Sequence, residues 1–115
     1  MRAAGLAVEL FGPAASARSV GRAHLTIVGA DAVTPAFVVN GAPTRALAEA
    51  ASGRSPFYVV CETVKFAPSA FASSGYDLIP LRLVRGIVTE QGVSGPADVR
   101  LNLAAAARAT RAARP

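Results

Sequence analysis

Several residue types that build disulfides, metal sites and aromatic cores are scarce in this chain of 115 residues. It has one cysteine, one histidine and no tryptophan, and its aromatic residues are five phenylalanines and two tyrosines. A lone cysteine forms no internal disulfide, which favours a reducing compartment such as the cytoplasm. A zinc site needs more cysteine and histidine ligands than one of each. We therefore expect no metal and no cofactor, and we interpret Cys61 as a small core residue.

Long hydrophobic runs are also missing. No uncharged apolar run approaches the roughly 18 residues that span a bilayer, so the sequence argues against a membrane protein. The N-terminal stretch, with Arg2 and the small residues 15–17, has a weak likeness to a signal peptide. Glu9 and Gly12-Pro13 interrupt its apolar segment. We therefore expect a cytoplasmic protein.

Acidic residues are absent after Asp98, and this distribution explains the net charge of +5. Residues 1–99 carry eight basic and seven acidic residues, so the excess lies in the last part of the chain. No basic face with interleaved aromatic residues is visible, which argues against nucleic-acid binding. We expect one domain at 1–97, followed at 98–115 by an alanine- and arginine-rich helix or tail that starts near Pro96.

Three apolar runs, at 25–28, 57–61 and 86–89, indicate strands buried on both faces. An acidic residue follows each run closely, and these residues are Asp31, Glu62 and Glu90. Open α/β sheets bind ligands at the carboxyl ends of their strands. If the three strands are parallel, their carboxylates lie at one rim of the sheet.

The remaining pattern alternates strands with helices. It predicts a strand at 7–11, a helix at 14–20, a brief extended piece at 37–39 and a helix from Pro43-Thr44 to about residue 51. A loop at 67–77 and one helical turn at 80–84 precede the last strand. This order indicates an α/β fold with a parallel sheet of about four strands.

Common catalytic motifs are not found in the sequence. It has no Gly-rich phosphate loop and no Gly-x-Ser-x-Gly motif, and His24 has no serine placed to pair with it. Lys65, the only lysine, follows Glu62 by three residues. A lysine and carboxylates at one rim suit a phosphorylated polyol, because the ammonium group meets the phosphate and the carboxylates meet the hydroxyls.

Four blocks of sequence resemble one protein superfamily. It contains the translation initiation factor 2B alpha, beta and delta subunits, together with the ribose-1,5-bisphosphate and methylthioribose-1-phosphate isomerases. Its GAD…N-K-x-G-T signature is similar to residues 27–33 (IVGADAV) together with Asn40 and Thr44. The other three blocks are residues 57–68 (FYVVCETVKFAP), 76–80 (YDLIP) and 86–93 (GIVTEQGV).

This resemblance implies a Rossmann-like three-layer α/β domain that usually dimerises with itself or with a related subunit. In the isomerases the aspartate of the GAD block is catalytic, and Asp31 holds that position here. The resemblance and the rim pattern together suggest a site for a sugar phosphate or a nucleoside monophosphate. Its predicted binding residues are Gly29, Ala30, Asn40, Thr44, Glu62 and Lys65.

The sequence also departs from the family pattern. Gly41 stands where the family has a lysine, and Pro43 stands where it has a glycine. The loop between Pro68 and Tyr76 is shorter than in most relatives. The family's N-terminal helical domain and the first part of its Rossmann-like domain, with the catalytic cysteine of the isomerases, have no counterpart here, and Cys61 does not match that cysteine. We therefore expect an incomplete domain, similar to the C-terminal third of a longer protein.

Three interpretations remain open. The favoured one is a non-catalytic initiation-factor-2B-like domain that binds a ligand or dimerises, because the lysine and the cysteine are both lost. The second is part of a sugar 1-phosphate aldose–ketose isomerase, in which Asp31 is the acid/base and an N-terminal portion is supplied separately. The third is a structural remnant without a ligand.

Overall fold

The computed structural model describes residues 2–3, 5–70 and 73–99. Nine short strands, two complete α-helices and two 3₁₀ turns occur in this part of the chain, and residues 96–99 at its end are also helical. In chain order they are β1 (Arg2–Ala3), β2 (Leu6–Ala7), α1 (Pro13–Val20), β3 (Thr26–Val28), β4 (Ala32–Val33), β5 (Phe37–Gly41), α2 (Thr44–Ala51), β6 (Phe57–Val60), a 3₁₀ turn (Thr63–Lys65), β7 (Tyr76–Pro80), a second 3₁₀ turn (Leu81–Leu83), β8 (Gly86–Thr89) and β9 (Gly92–Ser94).

The main sheet has four strands in the order β3-β6-β8-β9. The first three strands are parallel, and β9 returns antiparallel to β8 after a tight turn. Val59 of β6 and Ile87 of β8 are paired in register, and both are fully buried. Two adjacent apolar strands thus form the centre of the sheet, but β6 is fully buried on one face only, since Tyr58 is half-buried and Val60 is 43% exposed. The predicted α/β fold with a parallel-rich sheet is confirmed.

A small antiparallel sheet, with the order β4-β5-β7, lies beside the main one. Its five-residue ladder pairs β5 with β7 and places Asn40 opposite Asp77. A single bridge between Val33 and Phe66 links the small sheet to the segment after β6. The sequence did not predict this sheet. It indicated only a brief extended piece at 37–39 and assigned the start of β7 to a loop.

Both predicted helices are confirmed. Pro13 occupies the first turn of α1, where its missing N–H is not needed. Helix α2 ends before Gly53, whose φ of 74° suits glycine. Ala48 and Ala51 of α2 are fully buried, and small side chains let this helix lie close to α1 and to β7. The second 3₁₀ turn is the helical turn that was predicted at 80–84.

Two strand predictions are wrong. The chain at 8–12 is not a strand; the strand found here is β2 at Leu6–Ala7, which pairs with β1 in a two-residue ribbon. Strand β3 is not buried on both faces, because among the described residues it is the outermost strand of the main sheet. Ile27 is 59% exposed and Leu25 is 48% exposed as a result.

The core lies between the sheets and the helices and consists mainly of valine, alanine, isoleucine and leucine. Residues 96–99 are helical, and Val99 is buried in this core. Residues 100–115 lie outside the described part, so the division into 1–97 and 98–115 stays a prediction. Neither described helix is long and apolar enough to cross a membrane.

Candidate functional site

A cavity of about 440 Å³ opens at the carboxyl ends of β3, β6 and β8. Parallel strands bring the loops that follow them to the same edge of a sheet, which is where ligands bind in such folds. We call this space the carboxyl-edge cavity. Six of the residues that line it carry the argument below, and they are Gly29, Ala30, Cys61, Glu62, Lys65 and Glu90.

The wall next to β3 is formed by Gly29 and Ala30, which follow the strand directly. A Cβ atom added to Gly29 would meet no other atom within 4 Å. This wall therefore consists largely of backbone and leaves a ligand room to approach closely. The apolar side chains of Val60 and Val88, at the ends of the two central strands, also line the cavity.

Glu90 is held in place by Thr63, the first residue of the 3₁₀ turn after β6. Its carboxylate accepts a hydrogen bond of 2.9 Å from the Thr63 backbone N–H and one of 3.0 Å from the Thr63 hydroxyl. These hydrogen bonds favour the charged form, and they lower the pKa of Glu90 below its usual range. Glu90 is therefore a fixed negative charge, and the turn after β6 is tied to the end of β8.

Lys65 ends the 3₁₀ turn that Thr63 begins. Its backbone N–H donates to the carbonyl of Glu62, which closes the turn. Within the described residues, the ammonium group of Lys65 and the carboxylate of Glu62 make no hydrogen bond or ion pair. Both charged groups on this wall are thus available to a ligand.

Cys61 is half-buried between these charges rather than fully buried in the core. Burial raises the pKa of its thiol, and the negative charge of Glu90 raises it further. The opposing effect of Lys65 is smaller. A raised pKa favours the protonated thiol over the nucleophilic thiolate at neutral pH.

Asp31 is exposed and does not line the carboxyl-edge cavity, although Gly29 and Ala30 immediately before it do. Its backbone N–H donates to the carbonyl of Val39, where the chain turns from β3 into the small sheet. Of the three carboxylates expected at one rim, the structure brings Glu62 and Glu90 together on the cavity. Within the described residues, no group of three or more His, Cys, Asp or Glu side chains is arranged to hold a metal ion.

Asn40 and Thr44 do not line the cavity either. They bind each other at the start of α2: the Asn40 side-chain amide donates to Oγ1 of Thr44 over 3.0 Å, and the Thr44 hydroxyl donates to the carbonyl of Gly41. Thr44 is only 5% exposed. The two side chains therefore join the end of β5 to α2.

Thr63 is the site residue that sequence reasoning missed. It belongs to the block at 57–68, but nothing in its type or position indicates that it fixes Glu90. The contact joins residues 27 positions apart in the chain. Only the parallel pairing of β6 with β8 brings them together.

Comparison with known proteins identifies the family. The model of the initiation factor 2 subunit family matches residues 1–75. The chain belongs to this family. A putative translation initiation factor eIF-2B subunit 2-like protein of Pyrococcus abyssi is 40% identical, and the match covers 65% of this chain and 34% of the relative. The chain thus spans about a third of the length of the curated relatives it matches.

The fold is shared with solved structures of known proteins. The translation initiation factor eIF-2B of Pyrococcus horikoshii OT3 is similar with a TM-score of 0.70 and 33% identity, covering 78% of this chain and 40% of that chain. The 5-methylthioribose 1-phosphate isomerase of the same organism is similar with a TM-score of 0.72 and 22% identity, covering 91% and 38%. At this identity, the second likeness shows the fold alone.

Proposed function

We propose that this initiation factor 2 family member is a non-catalytic subunit-like domain whose carboxyl-edge cavity binds a sugar phosphate or a nucleoside monophosphate. The observation that carries the proposal is Lys65, which lines the cavity without an ion pair among the described residues. An ammonium group in this position is suited to bind a phosphate group. A place in the cytoplasm is part of the same proposal, because initiation factors act there.

The rest of the cavity suits the remainder of such a ligand. The carboxylate of Glu62 can accept hydrogen bonds from ribose hydroxyls. The carboxylate of Glu90 can accept further hydrogen bonds besides the two from Thr63. Val60 and Val88 provide apolar surface for a sugar ring or a base. The volume of about 440 Å³ lies within the usual range of small-molecule sites.

Three observations favour binding over catalysis. Asp31, the position of the isomerase acid/base, does not line the cavity. Gly41 replaces the lysine of the family signature. Cys61 has a raised pKa and lacks the properties of a reactive thiol. Because the chain shares its fold with an isomerase, the experiment below also measures isomerase activity.

Calorimetric titration of the purified chain tests the binding proposal. The ligands are ribose 5-phosphate, a methylthioribose 1-phosphate and AMP, with ribose and adenosine as unphosphorylated controls. We expect binding of at least one phosphorylated compound and a loss of about tenfold or more in affinity for Lys65→Ala, since a hydrogen bond to a charged group contributes about 1.5–3 kcal/mol. Lys65→Arg retains most of the affinity, because it keeps the charge.

Val64→Ala is the matched control, because Val64 is adjacent to Lys65 but lies outside the cavity lining. Equal affinity of the phosphorylated and unphosphorylated compounds, or an unchanged affinity for Lys65→Ala, would contradict the proposal. Isomerase turnover is followed in the same samples. Turnover that disappears in Asp31→Asn would replace the binding interpretation with the catalytic one.

A protein partner belongs to the same proposal. In the part of the chain that the structure describes, the outer edge of β3 pairs with no other strand, and Leu25 and Ile27 are exposed there. Open apolar edges pair readily with another chain. We expect a second copy or a related subunit at this edge.

Sedimentation velocity tests whether the partner at this edge is a second copy of the chain. Ile27→Lys shifts the wild-type dimer toward monomer, since a charge at the edge opposes pairing. Val64→Lys, which places the same charge on an exposed residue away from the edge, leaves the dimer intact. A wild-type chain that is monomeric at all concentrations would leave only the related subunit as partner. A dimer that is insensitive to Ile27→Lys would contradict the choice of edge.

A further inference from the structure

The charges of the main sheet are sorted between its two ends. The three segments that precede its parallel strands, at 21–25, 52–56 and 81–85, lie at the amino-terminal edge and contain no acidic residue. Their basic residues are Arg22, His24, Arg54, Arg82 and Arg85. The opposite edge holds the carboxylates of the candidate functional site. This amino-terminal edge has no role in the function proposed above.

A second cavity, of about 360 Å³, lies at this edge. We call it the amino-edge cavity. It is lined by the charged residues Arg82 and Arg85, the hydroxyl residues Ser52 and Ser55, and the apolar residues Leu83 and Pro96, among others. A cavity that combines two guanidinium groups with hydroxyls and apolar surface is suited to an organic anion.

The two arginines stand on a fixed backbone. The Arg85 N–H donates to the carbonyl of Phe57 over 2.7 Å, and the Val84 N–H donates to the carbonyl of Leu81. The Arg85 bond joins the end of the second 3₁₀ turn to the start of β6, and the Val84 bond closes the turn itself. The positions from which both guanidinium groups extend are therefore set before any ligand binds.

Neither guanidinium group has a partner within the described residues, where the one ion pair found joins Arg45 to Glu49. The acidic residue nearest to the cavity along the chain is Asp98, two residues after Pro96. Its Oδ2 lies 3.9 Å from the place where a Cβ atom of Gly95 would stand. Arg82 and Arg85 thus line the cavity with five N–H donors each, none of which is hydrogen-bonded within the described residues.

The hydroxyl groups differ in their availability. Oγ of Ser55 donates to the carbonyl of Val20 over 3.3 Å and offers only its acceptor capacity. Oγ of Ser52 makes no hydrogen bond in the described part of the chain. Its backbone N–H is the group that donates a hydrogen bond, to carbonyls of α2. One free hydroxyl donor therefore accompanies the two guanidinium groups.

We infer that the amino-edge cavity is a second ligand site, which binds a small phosphate monoester through Arg82 and Arg85. The planar guanidinium fork matches two phosphate oxygens. Leu83 and Pro96 contact the organic part of the ligand. Single-stranded nucleic acid fits less well, because Phe57, the aromatic residue that lines the cavity, is only 2% exposed and offers no ring face on which a base could stack.

Site-resolved NMR titration of the ¹⁵N-labelled chain with phenyl phosphate tests this inference. We expect amide shifts at 52–57 and 82–86 that saturate, while phenol produces none. Arg82→Ala and Arg85→Ala each lower the affinity by about tenfold. Arg82→Lys lowers it less, and Asp98→Asn leaves it equal or stronger. Both arginines are exposed and unpaired, so these variants are expected to fold.

Arg22→Ala is the matched control, because it removes an arginine from the same edge but outside the cavity lining. An equal loss in Arg22→Ala would indicate general charge attraction and overturn the inference. It would also be overturned by the absence of saturable shifts at 52–57 and 82–86, or by tighter binding of an RNA oligonucleotide through the same residues. Lys65→Ala leaves this titration unchanged, which separates it from the test of the carboxyl-edge cavity.

Discussion

Glu90 and Thr63 are joined by both hydrogen-bonding groups of the threonine, with its N–H 2.9 Å from Oε1 and its hydroxyl 3.0 Å from Oε2 of the carboxylate. The pair ties the end of β8 to the turn after β6. Lys65 lies two residues after Thr63 in the same turn, so the pair also fixes the backbone that carries this cation. One surface contact thereby sets the shape of two walls of the carboxyl-edge cavity.

The first prediction concerns the pH dependence of this contact. The hydrogen bonds from Thr63 lower the pKa of Glu90 below 4.5. A carboxyl group with a lowered pKa in the folded state contributes stability at pH values above its unfolded pKa. That contribution is lost as the pH falls through the folded pKa. We expect Glu90→Gln to melt below the wild type at pH 7 and the difference to close with increasing acidity below about pH 4.5.

Thermal melts between pH 3 and pH 7 measure this difference. Glu62→Gln is the control, because its carboxylate lies on the same cavity but accepts no hydrogen bond from the described residues. The melting temperature of this control is expected to equal that of the wild type at every pH. A gap between Glu90→Gln and the wild type that does not narrow at all as the pH falls from 7 to 3 would show that the stabilisation does not come from the charged carboxylate.

The second prediction concerns the centre of the main sheet. Ile87 is fully buried at the middle of β8, whereas Ile27 on the edge strand β3 is mostly exposed. Ile87→Ala removes buried methyl groups and leaves a cavity, which costs about 2–5 kcal/mol of unfolding free energy. Ile27→Ala costs less than about 1 kcal/mol. Urea denaturation of both variants measures the two values, and similar losses would contradict the edge position of β3.

The strand ends show how far the sequence determines the site. Apolar strands followed by acids predicted three carboxylates at one rim, and the structure places Glu62 and Glu90 on the cavity but not Asp31. Gly29, Ala30 and Lys65 line the same cavity, and their role in binding stays a prediction. Hydrophobic periodicity and turn residues indicate where each strand ends. Parallel pairing of the strands then brings the five residues after those ends to one cavity.

The small sheet could not be predicted, because its pairing is not local. Strand β4 has two residues, which is too short for a pattern, and β7 begins within a stretch rich in serine and glycine. Burial of β3 was overestimated for a related reason: Leu25-Thr26-Ile27-Val28 has the composition of a central strand, but composition does not reveal how many neighbours a strand has. Asn40 and Thr44 hydrogen-bond each other instead of lining the cavity, because β5 carries them to the small sheet.

The third prediction separates structural from ligand-binding residues. Thr44→Val leaves the Asn40 amide and the Gly41 carbonyl without their partner, which costs about 1–3 kcal/mol of unfolding free energy. The affinity for the phosphorylated ligand of the carboxyl-edge cavity stays unchanged in this variant. Lys65→Ala has the opposite pattern, with unchanged stability and weaker binding. Denaturation and titration of both variants measure these effects, and weaker binding in a folded Thr44→Val variant would place Thr44 in the site.

The fourth prediction concerns the start of α2, which is capped from another strand. Pro43 at the N-cap supplies no side-chain hydrogen bond, and the Arg45 N–H instead donates to Oδ2 of Asp77 over 3.1 Å. A carboxylate at a helix N-terminus satisfies a free N–H group and interacts favourably with the helix dipole. Since Asp77 lies on β7, this contact joins the small sheet to α2. Asp77→Ala is expected to lower the unfolding free energy by about 0.5–2 kcal/mol.

Asp77→Asn distinguishes the two contributions to this cap. An asparagine keeps an oxygen acceptor but loses the charge, so it is expected to recover part of the loss, as asparagine is itself a good capping residue. Asp31→Ala is the control, because Asp31 is exposed and its side chain accepts no hydrogen bond in the described part of the chain. Chemical denaturation at neutral pH measures all three variants. An equal loss in Asp77→Ala and Asp31→Ala would mean that the contact with Arg45 contributes nothing, and that α2 is held by its buried alanine face alone.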